Sequence, residues 1–175
     1  MMEFEFTLKF MLGGGGPHFD EFVERLGAAG CNDALVGIGQ TGRIALDFTR
    51  EADCAKDAIF SALADVKRAV PDAKFLEATP DFVGLTDVAE LVGVTRQNMR
   101  KLALAHQDSF PVAVHDGSAA IWHLSPILQW LKERADYPIP KSLLEIAHIA
   151  MQINLAKEAS QIEQHVQREV LELVA

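Results

Sequence analysis

The sequence predicts an α+β protein, and three observations carry that expectation. Residues 3–10, EFEFTLKF, alternate strictly between apolar and polar side chains, the period of a half-buried strand. Residues 53–70 instead repeat apolar side chains at helical spacing. Residues 85–104, LTDVAELVGVTRQNMRKLAL, read as two short helices joined at Gly93. Strand, helix and strand signals alternate over the first eighty residues, and helical signals dominate afterwards.

Taken in order, Phe4, Phe6, Leu8 and Phe10 point to one side of the first strand, and Glu3, Glu5, Thr7 and Lys9 to the other. Gly13 to Gly16 and Pro17 make a loop. Phe19, Phe22, Val23 and Leu26 recur at helical spacing until Gly30 stops the helix. Residues 34–38 and 43–49 read as two strands joined by a turn at Gln40, Thr41 and Gly42. The second helix stripes Ala55, Ile59, Ala62, Leu63, Val66 and Val70 along one face, and Pro71-Asp72 ends it. Residues 74–78 form a last short strand. The order β-α-β-β-α-β predicts a ferredoxin-like unit over residues 1–79.

Thr79-Pro80-Asp81 marks a boundary, and residues 80–136 form a second unit. In its first helix Val88 and Ala89 fall where apolar and then small side chains let a second helix approach. Gly93 takes the turn, where positive φ carries no Cβ penalty. Val94, Met99 and Leu102 lock the two helices together. Thr95, Arg96, Gln97, Arg100 and Lys101 are left facing outward on helix 95–105. Cationic and amide side chains on one helical face suit phosphates and base edges in the major groove. Phe110-Pro111 is extended. Asp116-Gly117 between apolar alternations at 112–114 and 120–122 signals a hairpin. Ser125-Pro126 opens another helix, with Ile127, Trp130 and Leu131 inward.

Tyr137-Pro138-Ile139-Pro140 reads as a stiff connector. Ser142 and Glu145 have the spacing of a capping box. With no Gly or Pro after Pro140, a single helix of roughly 45 Å, opening at Ser142, is expected to make up most of a C-terminal unit spanning residues 137–175. Its stripe, Ile146, Ile149, Ile153, Ala156, Ile162, Val166 and Val170, predicts burial against a second subunit, making the protein a homodimer.

The segment from Val83 to Arg134 resembles the winged helix-turn-helix of the MerR and excisionase (AlpA-like) group. The residues that carry the likeness are LTDVAELVGVTRQNMRKL, Phe110-Pro111, a short hairpin ending in Ile121-Trp122, and SPILQWL. The resemblance implies that the second helix enters the major groove of double-stranded DNA and the hairpin touches the flanking backbone. Thr86, Thr95, Arg96, Gln97, Asn98, Arg100 and Lys101 are then the candidate helix contacts, and His115, Ser118 and His123 the candidate hairpin contacts. Family wings are often basic, whereas this one carries Asp116.

Composition bears on the alternatives. The net charge is −9, yet residues 81–134 carry six acids against five bases, and the second helix holds Arg96, Arg100 and Lys101 with no acid. An acidic body with one basic helix suppresses non-specific attachment to a polyanion and leaves one docking face. No apolar run reaches membrane-spanning length, and the chain does not open like a signal peptide, so no membrane partner and a cytoplasmic location are expected. Cys31 and Cys54 form no metal-binding pair, and no cofactor or metal is expected. Gly37-Ile-Gly39-Gln-Thr-Gly42 matches a dinucleotide fingerprint in form, but a strand pattern follows where a helix is needed. The histidines are scattered, so the chain is not expected to be an enzyme. The first expectation is a dimeric, sequence-specific DNA-binding transcription regulator whose residues 1–79 contact a protein partner. The alternative is an antitoxin-like or phage-type accessory protein whose main role is protein-protein interaction.

Overall fold

The computed structural model describes residues 1–13, 19–40, 42–134 and 136–174. The predicted loop residues Gly14 to Gly16 and Pro17, His18, and Thr41 of the hairpin turn lie outside them. Among the described residues there are seven helices and two antiparallel sheets, an α+β fold. In chain order these are β1 (Met2–Met11), α1 (Phe19–Ala28), β2 (Ala34–Ile38), β3 (Arg43–Ala52), α2 (Ala55–Ala69), β4 (Lys74–Thr79), β5 (Phe82–Val83), α3 (Leu85–Val92), α4 (Arg96–Ala105), β6 (His115–Asp116), β7 (Ala120–His123), α5 (Leu124–Arg134), α6 (Lys141–Ala159) and α7 (Gln164–Val174).

The larger sheet has the order β2-β3-β1-β4, with every neighbouring pair antiparallel. The alternation of β1 works as expected: Phe4, Phe6, Leu8 and Phe10 are buried, and Phe6 stacks on Phe48 of β3. Phe22 and Leu26 of α1 and Ala58, Ile59, Ala62 and Val66 of α2 complete that core. The G-x-G-x-x-G stretch runs from β2 into β3, with Gly42 at φ 80°, so it is a turn between strands.

A charged cluster staples this unit from inside. Arg50 is nearly buried and donates through Nε and Nη2 to both oxygens of Asp33, at 2.6 and 3.0 Å. Its Nη1 donates to Asp65 and to Ser61, each at 2.9 Å. Burial opposes its charge, but the hydrogen bonds it donates to Asp33 and Asp65 outweigh that and raise its pKa. Burial, helped by the Asp65 carboxylate, pushes the nearby Cys31 thiol up to about 11. Each charged group here is matched by its neighbours, which is a fastening and not a binding site.

The C-terminal region departs from the sequence reading in three ways. The long helix is two helices. After Ala159 the backbone tightens into short bonds, Gln161 N–H to Glu158 and Ile162 N–H to Ala159, while the Ser160 hydroxyl caps the Lys157 carbonyl at 2.6 Å. These satisfy carbonyls that a continuing helix would have used, and the chain turns before α7. Second, α6 lies across both cores of its own chain and is not a free dimerisation helix. Ile146 and Ala150 are buried against the sheet and α2, Ile149 and Ile153 pack at that cluster's edge, and Ala147 enters the core beneath α3, α4 and α5. Third, the predicted capping box does not form. The helix begins at Lys141 with Pro140 before it, and Glu145 reaches the Ala55 N–H at the start of α2, 3.4 Å away, and Lys141 Nζ, also at 3.4 Å.

Candidate nucleic-acid interface

The interface starts from a local turn. Asp87 accepts from the Gly84 N–H at 2.7 Å and closes the N-terminus of α3. Gly93, at φ 72°, ends that helix, and the Val94 N–H returns to the Ala89 carbonyl at 2.9 Å. Thr95 then caps α4, its hydroxyl accepting from the Asn98 N–H at 3.2 Å. Thr95 therefore serves the helix start while sitting exposed. Val88, Ala89 and Met99 are buried between the two helices and join Phe110, Leu124, Ile127, Leu128 and Leu131 in a second core.

With Met99 held inward, 3.6 residues per turn put the polar residues of α4 outward. Thr86, Thr95, Arg96, Gln97, Asn98, Arg100 and Lys101 are all exposed. None of the three cations forms an ion pair among the described residues. The structure divides them. Arg96 and Arg100, with Thr86 from α3, line a groove of about 860 Å³ between α4 and the β6–β7 hairpin, whereas Gln97, Asn98 and Lys101 face away from it.

The hairpin belongs to a three-stranded sheet in the order β5-β7-β6. Its register shifts the expected turn. His115 pairs with Ile121 and Asp116 with Ala120, so the loop is Gly117-Ser118-Ala119 and His115 and Asp116 lie in a strand. His115 and Ser118 are exposed, and Ser118 lines the groove. The Trp122 indole N–H donates to the Pro111 carbonyl at 3.0 Å. Phe110 packs edge-on to Trp122 and Trp130, so the groove has an aromatic floor. Residue patterning did not single out this floor, because Phe110 and Trp122 read locally only as an extended segment and a hairpin strand.

His123 is a correction. Its ring turns inward, with Nδ1 2.7 Å from Oδ1 of Asp81, a fully buried carboxylate, and it is not free to meet a ligand beside the hairpin. The register of β7 opposite Phe82 sets this direction. The other Asp81 oxygen accepts from Asn154 of α6 at 2.8 Å. Asn154 also exchanges two hydrogen bonds with the Ala78 backbone on edge strand β4, at 2.9 and 2.8 Å. One buried network thus ties the large sheet, the hairpin sheet and α6. A clue to Asn154 was present in the sequence: it follows Ile146 and Ala150 at four-residue spacing, on the buried face.

Among the described residues no group of three His, Cys, Asp or Glu side chains is placed to hold a metal ion, and no helix is long and apolar enough to cross a membrane. No protein-family model, curated protein or solved structure matches the chain.

Proposed function

We propose that this chain is a cytoplasmic, sequence-specific double-stranded-DNA-binding protein, a transcription regulator that places α4 in the major groove. In this reading residues 80–136 form a winged helix-turn-helix resembling that of the MerR and excisionase (AlpA-like) group. Residues 1–79 form a ferredoxin-like unit suited to protein contact, since its charged cluster is internally matched. The observation that carries the reading is that Arg96, Arg100 and Lys101 are exposed, with no ion pair among the described residues, on a helix anchored through buried Met99. Arg96 and Arg100 have the donors for guanine or phosphate, and Gln97 those for adenine. The hairpin supplies His115 and Ser118 to the backbone at most, because Asp116 repels it.

One copy offers one recognition helix, so a homodimer reading two half-sites gives the affinity that an acidic body otherwise withholds. With Ile146, Ile149 and Ile153 covered by their own chain, the dimer contact falls to Ala156, Ile162, Val166 and Val170, which are exposed. Those side chains also favour the second reading, a protein-interaction accessory, because they make an apolar face left exposed among the described residues.

Selection of binding sites from random duplexes, followed by gel shifts, tests the proposal. Arg96→Ala and Arg100→Ala each weaken the selected site by about 1–3 kcal/mol, and Lys101→Ala lowers the salt slope by about one. An unchanged affinity in both arginine variants, or no selected sequence, overturns it.

A further inference from the structure

The two edges of the large sheet are built differently. At β4 the Asn154 amide from α6 takes both the Ala78 N–H and the Ala78 carbonyl, at 2.9 and 2.8 Å, so the chain itself occupies that edge. The other edge strand, β2, pairs with β3 alone. Two bonds at the ends of β2 fix its orientation: Thr49 N–H to the Asp33 carbonyl at 3.0 Å, and Gly39 N–H to the Arg43 carbonyl at 3.2 Å. Odd-numbered residues of β2 therefore turn their backbone groups to β3, and Ala34, Val36 and Ile38 turn theirs outward. No other backbone group meets them among the described residues.

A free edge is normally protected by a charge, a proline or a bulge. Residues 34–38 read Ala-Leu-Val-Gly-Ile, unbroken in register and with none of these. Leu35 is 77 % exposed on the open face of the sheet, and Ile38 is 63 % exposed on the face that carries the core. Gly37 is a second sign. Its φ is not positive, and a Cβ there meets only Ala45, at 3.7 and 3.9 Å, so nothing in its own chain requires glycine. A glycine inside a strand often marks the close approach of another backbone. The strand's own residues name that backbone. Laid antiparallel on a copy of itself about a two-fold axis at Val36, β2 sets Val36 on Val36, Ala34 on Ile38 and Leu35 on Gly37. Each large side chain meets a small one, and every outward N–H and C=O meets its counterpart, about six hydrogen bonds in all. Asp33, the nearest charge, falls opposite Gly39. An in-register parallel pairing stacks Leu35 on Leu35, leaves Gly37 against Gly37, and faces outward groups squarely where a parallel ladder needs them staggered.

We propose that β2 of one copy pairs antiparallel with β2 of a second copy, joining the two large sheets into one continuous sheet. Asn154 closes both outer β4 edges, so the sheet ends there and the pair does not propagate into fibres. The contact uses no residue of α4, the hairpin or α7, so it goes beyond the DNA-binding reading and stands without it. Where the α7 face also pairs, the two contacts together link pairs into pairs of pairs.

Sedimentation velocity and amide hydrogen exchange on the full chain test the pairing. Five residues per copy make a modest contact, so the series runs from about 1 μM to 1 mM. The starting chain carries Val166→Asp with Val170→Asp, which removes the α7 face from the measurement. It dimerises, and exchange at the Ala34, Val36 and Ile38 amides slows as concentration rises. The Leu35 and Gly37 amides, bonded to β3, are slow throughout. Val36→Pro removes an outward donor and leaves the bonds to β3 in place. Ile38→Asp sets a carboxylate against Ala34 of the other copy, from a side chain that is exposed in the single chain. Each substitution weakens dimerisation at least tenfold, with circular dichroism verifying the fold. A starting chain that stays monomeric at every concentration, association that leaves the three outward amides fast, or association indifferent to either substitution in a folded variant overturns the proposal.

Discussion

Asn154→Ala is expected to be the most costly single polar substitution on α6. The Asn154 side chain is buried and makes three hydrogen bonds: it accepts from the Ala78 N–H at 2.9 Å, donates to the Ala78 carbonyl at 2.8 Å and donates to Asp81 at 2.8 Å. β4 is an edge strand, and the Asn154 amide stands in for the neighbour that strand lacks. Truncation leaves a backbone donor, a backbone acceptor and one carboxylate oxygen without partners. Each orphaned buried group costs about 1–3 kcal/mol, less where water enters the space left behind, so a total near 3–5 kcal/mol is expected. That is a large share of the roughly 5–15 kcal/mol by which a domain is stable. Urea unfolding followed by circular dichroism measures it; with a slope of about 2 kcal/mol per molar, the midpoint falls by about 2 M. Gln152→Ala, an exposed neighbour on the same helix, controls for helix propensity and stays within about 0.5 kcal/mol of the wild type. Asn154→Asp is expected to be at least as damaging near neutral pH, because it sets a second carboxylate against Asp81. A loss below about 1 kcal/mol in Asn154→Ala refutes the view that this amide holds the sheet, the hairpin and α6 together.

Two further outcomes follow from single residues. Gly93→Ala forces a Cβ into φ 72° with no neighbouring atom within 4 Å, so its cost is backbone alone, about 1–2 kcal/mol by thermal or urea unfolding, and Gly93→Asn costs less. Cys31 and Cys54 differ in reactivity: with its pKa raised from 9.0 to about 11 and its side chain buried, Cys31 resists alkylation at pH 8 in the native state, while half-buried Cys54 reacts first, as mass mapping of labelled peptides verifies. Because the folded thiol holds its proton more tightly than the unfolded one, Cys31 contributes stability that is complete below about pH 9 and lost as pH rises towards about 11, measurable as a falling urea midpoint.

Much of the site was legible because its causes are local. The apolar-small pair Val88-Ala89, Gly93 in the left-handed region and Met99 on the inner face depend on residues within about two turns of one another, so spacing alone placed Arg96, Arg100 and Lys101 outward. His123 was misjudged because its direction depends on Asp81, 42 residues earlier, and on Phe82 across the hairpin sheet. The hairpin turn expected at Asp116-Gly117 lies at Gly117–Ala119, with Asp116 in a strand, because register is set by pairing with β7 and the Asp-Gly step alone does not fix it. The capping-box spacing of Ser142 and Glu145 was real, but Glu145 reaches the start of α2, 90 residues away.

By itself the sequence determined most of the strands and helices, though not β5 or the break between α6 and α7, together with the Gly93 turn and the cationic face of α4, since side-chain period and backbone sterics act between near neighbours. Tertiary structure alone decided that α6 folds across both cores, that Asn154 and Asp81 meet although 73 residues apart, and that Arg96 and Arg100 share a groove with Trp122. An apolar stripe states that a helical face must be covered. It carries no information on which surface covers it, because burial is non-directional and the partner is chosen only when distant segments pack.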